Sequence, residues 1–172
     1  MPSVAILTVS DRSSQGSRPD LSGPSLIEEI RKLGWDIVDY SIVADESAQI
    51  QNYLINWSES HPVDLILTTG GTGFTPRDIT PEATLLIIER LTPGLSEFMR
   101  MKSMEKTPHA MLSRAVSGIR KNTLIINLPG SPKAAVENLQ FVLPVLPHAF
   151  QLLTKPDQAE NSHQFTQGDH NG

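Results

Sequence analysis

Residues 63–83 read VDLILTTGGTGFTPRDITPEA. Val63, Leu65, Ile66 and Leu67 form an apolar run of strand length, and Thr80-Pro81 opens a helix, because Thr is a good N-cap and Pro is tolerated in a first turn. Gly70, Gly71 and Gly73 therefore stand where a strand passes into a helix. Glycine tolerates positive φ and lets a ligand approach the main chain, so such a turn can aim successive N–H groups at one anion. Asp78 lies beside it, where a carboxylate can reach phosphate through a divalent cation. Taken alone, the cluster reads more readily as a tight turn with a solvated acid than as an anion site, since short motifs match by chance. The surrounding pattern decides between the two.

That pattern is repeated strand–helix alternation. Val4 to Val9 is a short apolar run ending in Ser10-Asp11-Arg12, and Leu26, Ile27, Ile30 and Leu33 form a helical stripe that stops at Gly34. A second strand spans Trp35 to Val43, followed by a helix with Ile50, Leu54 and Trp57 on one face. The third unit carries the glycine turn and a helix from Pro81 to about Arg90 with Ala83, Leu86 and Ile87 inward. Leu95, Phe98 and Met99 suggest a short helix, and Met111 to Arg114 a further element. Thr123 to Leu128 is a last clear strand. Ser131 caps the next helix, Pro132 starts it, and Ala135, Leu139 and Val142 are its buried face. Pro144 and Pro147 interrupt it before a final helical piece with Leu146, Ala149, Phe150 and Leu153. The alternation predicts an α/β fold, a three-layer, mostly parallel sheet with helices on both faces. One domain is expected over 1–155, and a polar, disordered tail over 156–172, where Gln, Asn, Asp, His and Gly dominate.

Composition narrows the chemistry. The chain has 172 residues, 38% hydrophobic and 19% charged, which suits one globular domain. No apolar run approaches the roughly 20 residues of a bilayer span, and the start, MPSVAILTVSDR, lacks a secretory pattern, so a cytoplasmic protein without membrane contact is expected. Without cysteine there is no thiolate nucleophile or thiolate metal site, which directs any metal chemistry toward oxygen ligands and magnesium. A net charge of −5 without a basic run argues against nucleic acid. Anion binding then depends on local cations, and Arg12, Arg77, Lys102, Arg114 and Lys133 lie in or near loops. The five histidines form no metal-binding spacing, Ser113 is in no nucleophile elbow, and the glycine turn is neither a Walker loop nor a dinucleotide fingerprint.

Ligands of open parallel sheets collect beyond the carboxyl ends of the strands. That rim gathers Ser10 and Asp11 after the first strand, Asp45 after the second, Gly70, Gly71, Thr72, Gly73 and Asp78 after the third, and Gly130 and Ser131 after the last. Two of these loops feed helix N-termini, which favour phosphate. Asp45 and Asp78 are placed to share a magnesium ion between phosphate oxygens; each alone also reads as a capping or solvated acid.

In order along the chain, SDR, ADE, TTGGTGFTPRDITPEA, LSRAVSGIR and INLPGSPKA resemble the molybdopterin adenylyltransferases of molybdenum-cofactor biosynthesis, including the G domains of plant and animal homologues such as gephyrin. The resemblance runs from about Val4 to Leu153 and favours this branch over a related subgroup with GD in place of PRD. It implies a homotrimer that uses ATP and magnesium to transfer AMP to the terminal phosphate of molybdopterin, releasing pyrophosphate, with hand-over to a molybdate-insertion enzyme. Asp45 and Asp78 then match the two essential acids and hold magnesium. Gly70, Gly71, Thr72, Gly73 and Gly130 match nucleotide and phosphate turns, Ser10 and Asp11 the first-strand loop, and Ser113 and Ser131 the pterin side. The alternative is a non-catalytic molybdopterin-binding or scaffold module of the same fold.

Overall fold

The computed structural model describes residues 1–154; the polar tail expected over 156–172 lies outside the described residues. Six strands form one sheet in the order β2-β1-β3-β6-β5-β4. These are β1 (Ser3–Val9), β2 (Asp36–Val43), β3 (Leu65–Thr69), β4 (Arg90–Leu91), β5 (Ser117–Arg120) and β6 (Thr123–Leu128). The β2-β1-β3-β6 portion is parallel, and β5 pairs antiparallel with both β6 and β4. The helices are α1 (Asp11–Ser14), α2 (Ser22–Lys32), α3 (Ser47–Glu59), α4 (Thr80–Leu85), α5 (Pro93–Met104), α6 (Pro132–Val142) and α7 (Leu146–Thr154), with 3-10 turns at Pro108–Leu112 and Leu143–Val145.

The central strands are apolar throughout because both faces of the sheet are covered, and their alternation divides them between two cores. Val4 and Ile6 of β1, Leu65 and Leu67 of β3, and Leu124 and Ile126 of β6 pack with α2, α6 and α7 through Leu26, Ile30, Leu139, Leu146 and Phe150. Their neighbours Ala5, Leu7, Ile66 and Ile125 face the other way, onto Ile50, Leu54 and Trp57 of α3 and Ala83 of α4. This is the three-layer arrangement the alternation predicts. Each fully buried aliphatic side chain in it is worth about 1.5–3 kcal/mol of transfer free energy.

Two local features depart from the sequence reading. The helix after the glycine turn stops at Leu85 rather than near Arg90, and Leu86, expected inward, is 70% exposed. The chain there turns into β4, so the apolar spacing reflects strand entry rather than a longer helix. The strands β4 and β5 have two and four residues and show too little alternation to stand out. On α5 and the turn after it Met99 is buried, whereas Met101, Met104 and Met111 are exposed.

Candidate active site at the carboxyl rim of the sheet

From β1 the chain moves outward to β2, then crosses back past β1 to β3, so the strand order reverses between β1 and β3. At such a reversal the loops after β1 and β3 leave in opposite directions, toward α2 on one face and α4 on the other, and open a crevice. A cavity of about 390 Å³ lies there, and its walls include Ser10, Asp45, Gly70, Gly71, Asp78, Gly130 and Ser131. Residues from all four parallel strand ends meet as the sequence reading anticipates. Asp11, Thr72 and Gly73 are not among the cavity's lining residues.

The loops are tied to one another. Thr69 Oγ1 donates to the Pro129 carbonyl at 2.6 Å, and a Cβ on Gly130 would lie 3.3 Å from Gly70 Cα. Gly70 (φ +100°) and Gly71 (φ +65°) adopt the left-handed conformation that side chains resist, as the turn requires. At Gly71 a Cβ would stand 3.0 Å from Asp45 Oδ1, and at Gly73 one would stand 2.9 Å from Asp78 Oδ2. These two glycines therefore leave room for the two carboxylates.

The main-chain donors are fewer than the three glycines suggest. Gly70 N–H is engaged with the Leu128 carbonyl at 3.2 Å, so the turn offers an anion the amides beyond it. Thr80 is not the N-cap of α4 but lies inside it. Its Oγ1 donates to the Gly70 carbonyl at 2.9 Å and its N–H to the Gly71 carbonyl at 3.0 Å, pinning the turn to the helix. Ser131 does cap α6, accepting from Ala134 N–H at 3.2 Å, and Ala135 N–H bonds to the Ser131 carbonyl at 2.8 Å; because Pro132 has no N–H, Lys133 N–H is the first-turn amide left without a bond among the described residues, beside the crevice walled by Ser131 and Pro132. Ser10 caps α1 through Ser13 N–H at 3.2 Å.

Both acids keep one oxygen available. Asp45 accepts Asp11 N–H on Oδ2 at 2.9 Å; Asp78 accepts Thr75 N–H and Oγ1 on Oδ2 at 2.8 and 2.7 Å. Neither Oδ1 has a protein donor among the described residues. Burial pushes Asp45 above the usual carboxylate range; the Asp11 amide opposes this, and the charges of Asp11 and Asp78 add to the rise. An acid held so is primed to bind a cation, which relieves both burial and repulsion.

Two cations flagged in the sequence are engaged in building the site. Arg77 grips Asp11 through Nε and Nη2, each at 2.9 Å, and reaches Glu46 at 2.8 Å. Arg114 donates to the carbonyls of Gly73 (2.7 Å) and Asp78 and pairs with Glu82, fastening the acid-bearing loop from behind. Ser113 does not reach the rim cavity. It lines a second, mostly apolar cavity of about 260 Å³ between α5, the Pro108–Leu112 turn and α6, with Met99, Arg100 and Asn138. The rim also holds Arg18 and Asp20, which sequence reasoning missed: they stand in SSQGSRPDL, a segment with no periodic or motif signal.

Among the described residues, no three or more histidine or acidic side chains converge into a metal cage. Two carboxylates lining one cavity with the glycine turn suit magnesium instead, which usually keeps several waters and takes one or two carboxylates together with substrate phosphates. Asp45 and Asp78 are the residues that would hold it.

Comparison with known proteins agrees with this geometry. The family model described as "Probable molybdopterin binding domain" matches residues 5–148. The chain is 43% identical over 152 residues to a molybdopterin adenylyltransferase of Helicobacter pylori, covering 87% of this chain and 86% of that one. It is 48% identical over 164 residues to gephyrin of Dictyostelium discoideum, covering 89% of this chain but only 23% of that much longer protein. The crystal structure of the molybdopterin biosynthesis enzyme MoaB from Thermus thermophilus superposes with a TM-score of 0.85 at 49% identity, covering 90% of this chain and 97% of that one. With the family model, the sequence identities and the whole-fold match in agreement, the chain belongs to the molybdenum-cofactor biosynthesis family built on the molybdopterin-binding domain.

Proposed function

We propose that the chain is a molybdopterin adenylyltransferase. The carrying observation is that Asp45 and Asp78, distant in sequence, line one crevice between the Gly70-Gly71 turn and the capped start of α6. The terminal phosphate oxygen of molybdopterin forms a bond to the α-phosphorus of ATP, the bond to the β-phosphate oxygen breaks, and pyrophosphate departs with that electron pair. Such transfer needs positioning and charge neutralisation more than a protein nucleophile. The amides at the Gly71 turn and the α6 terminus orient phosphoryl oxygens, and Thr80 and Arg114 keep that turn from relaxing. Magnesium, when bound, would neutralise the phosphates between the two acids.

Presence of both acids supports an enzyme over a binding or scaffold module. Homotrimer formation is part of the same proposal, supported by the exposed Phe98, Met101, Met104, Met111 and Leu112 on α5 and the turn after it. Cytoplasmic action with hand-over to a molybdate-insertion enzyme completes it; among the described residues no helix is long and apolar enough to cross a membrane. The test is purified protein with ATP, magnesium and molybdopterin. ATP-dependent pyrophosphate release is expected, and molybdopterin binding without release at any magnesium concentration would establish the module instead.

A further inference from the structure

The rim cavity is walled by three carboxylates, Asp20, Asp45 and Asp78, and by one cation, Arg18. Asp20 is not available to a ligand. Its Oδ2 accepts from Thr8 Oγ1 at 2.6 Å and from Tyr40 Oη, and its Oδ1 accepts the amides of Ser22 and Gly23 at 2.9 and 3.2 Å. Four donors fill a carboxylate's acceptor sites. No slack remains around it, because a Cβ on Gly23 would stand 2.4 Å from the Tyr40 ring and 2.6 Å from Asp20 Oδ2. Asp20 thereby clasps the loop after α1 to β1, β2 and the first turn of α2. Ser22 Oγ then joins α2 to the Gly130 carbonyl at 2.6 Å, on the opposite wall.

Arg18 leaves this loop two residues before the clasp, with Pro19 between them restricting the backbone. On its other side the amides of Ser17 and Arg18 bond to the Arg12 carbonyl at 3.0 and 3.3 Å. The loop is therefore fixed at both ends, while the Arg18 guanidinium makes no hydrogen bond or ion pair among the described residues. Arg77 and Arg114 are committed to protein acceptors. A ligand carrying phosphates meets a wall of three negative charges and one positive, and only that one positive group is uncommitted.

We propose that Arg18 is a specificity-determining anion ligand of this site, clamping a phosphoryl group of the molecule seated between Gly71 and Ser131. A guanidinium on a pre-set loop suits this because its planar fork pairs two phosphate oxygens at once. The inference rests on the adenylyl-transfer reading for the two molecules that could supply the phosphoryl group, ATP and molybdopterin.

The experiment uses the full chain and the variants Arg18→Gln and Arg18→Lys, with calorimetric titration of magnesium-ATP and of molybdopterin separately, together with steady-state pyrophosphate release. Arg18→Gln is expected to weaken one of the two ligands about ten-fold, the size of one charge-assisted contact. The KM for that ligand should rise in proportion, kcat should stay within about two-fold, and the salt dependence of its Kd should flatten. Arg18→Lys should fall between, retaining the charge without the fork. The ligand affected identifies the phosphoryl source. If both affinities and both salt dependences match the wild type, while the wild type binds and turns over, the inference is overturned and the adenylyl-transfer reading stands. If the wild type binds neither ligand, that reading falls and this one with it.

Discussion

Asp11 and Asp45 cap each other's backbones across two loops: Asp11 N–H donates to Asp45 Oδ2 at 2.9 Å, and Asp45 N–H donates to Asp11 Oδ1 at 3.0 Å. The exchange locks the loop after β1 to the loop after β2, and Arg77 adds the loop after β3 by gripping Asp11. Asp11 is thus a brace for Asp45 rather than part of the cavity wall. Three strand ends act as one unit.

Asp78→Asn should preserve the loop, since an amide oxygen can still accept from Thr75, while the charge facing the cavity is lost. Pyrophosphate release is expected to fall by about 10²–10³-fold, the scale of removing one electrostatic stabiliser, with ligand affinity and thermal midpoint largely kept. Parallel activity, calorimetry and melting measurements check this. Unchanged turnover would remove Asp78 from the mechanism.

Carboxyl NMR titration of metal-free protein should place Asp45 above the usual range, chiefly because it is buried. Asp78 repels the ionised form, so Asp78→Asn should move the Asp45 titration downward. Because its folded value is raised, Asp45 binds more protons folded than unfolded, and its contribution to stability declines as pH climbs from about 3.9 through that raised value.

Arg77→Ala should lower the melting temperature in a pH-dependent way. The Arg77 hydrogen bonds, followed by the Asp45 amide, hold Asp11 below its ordinary value. An acid depressed on folding contributes stability above its unfolded value, near 3.9, and loses that contribution as pH falls through the folded one. The gap between wild type and variant should be full near neutrality and close in strong acid. A gap independent of pH would sink the ion-pair account.

Gly70→Ala combines a φ of +100° with a new Cβ 2.3 Å from the Val9 carbonyl oxygen, so the backbone must move. The expected loss is about 3 kcal/mol, read by urea unfolding.

Asn127 is fully buried and satisfies three partners: its amide donates to Thr68 Oγ1 at 2.9 Å and Thr84 Oγ1 at 3.0 Å, and its oxygen accepts Val116 N–H at 3.2 Å. Asn127→Ala removes the partner of Thr68 Oγ1 and of Val116 N–H, while Thr84 Oγ1 keeps its bond to the Thr80 carbonyl at 2.8 Å. A loss of about 2–4 kcal/mol in unfolding free energy is expected, with a larger effect than Asn127→Asp only if hydrogen bonding outweighs the cost of a buried charge.

Periodicity and punctuation made the scaffold legible. The apolar runs around Ile6, Ile66 and Ile125 read as buried strands because both faces of a parallel sheet are dry, and Gly34 and Ser131 marked helix ends through local backbone chemistry. The gathering of Asp45, Gly71, Asp78 and Ser131 at one rim also followed, since parallel strands deliver all their following loops to the same edge. The short β4–β5 pair stayed hidden because two to four residues carry no usable period.

Amino-acid order alone settled the layered architecture, the edge at which the candidate site forms and the family to which the chain belongs, because these depend on pattern along the backbone. Which groups are engaged and which are available was decided only in three dimensions: Gly70 N–H is taken by Leu128, Arg77 and Arg114 serve as braces, Ser113 opens on a different cavity, and Arg18 faces the rim uncommitted. The physical reason is that a donor or charge is free only if nothing remote in sequence has reached it first. Those long-range hydrogen bonds and ion pairs leave no trace in the spacing of residues along the chain.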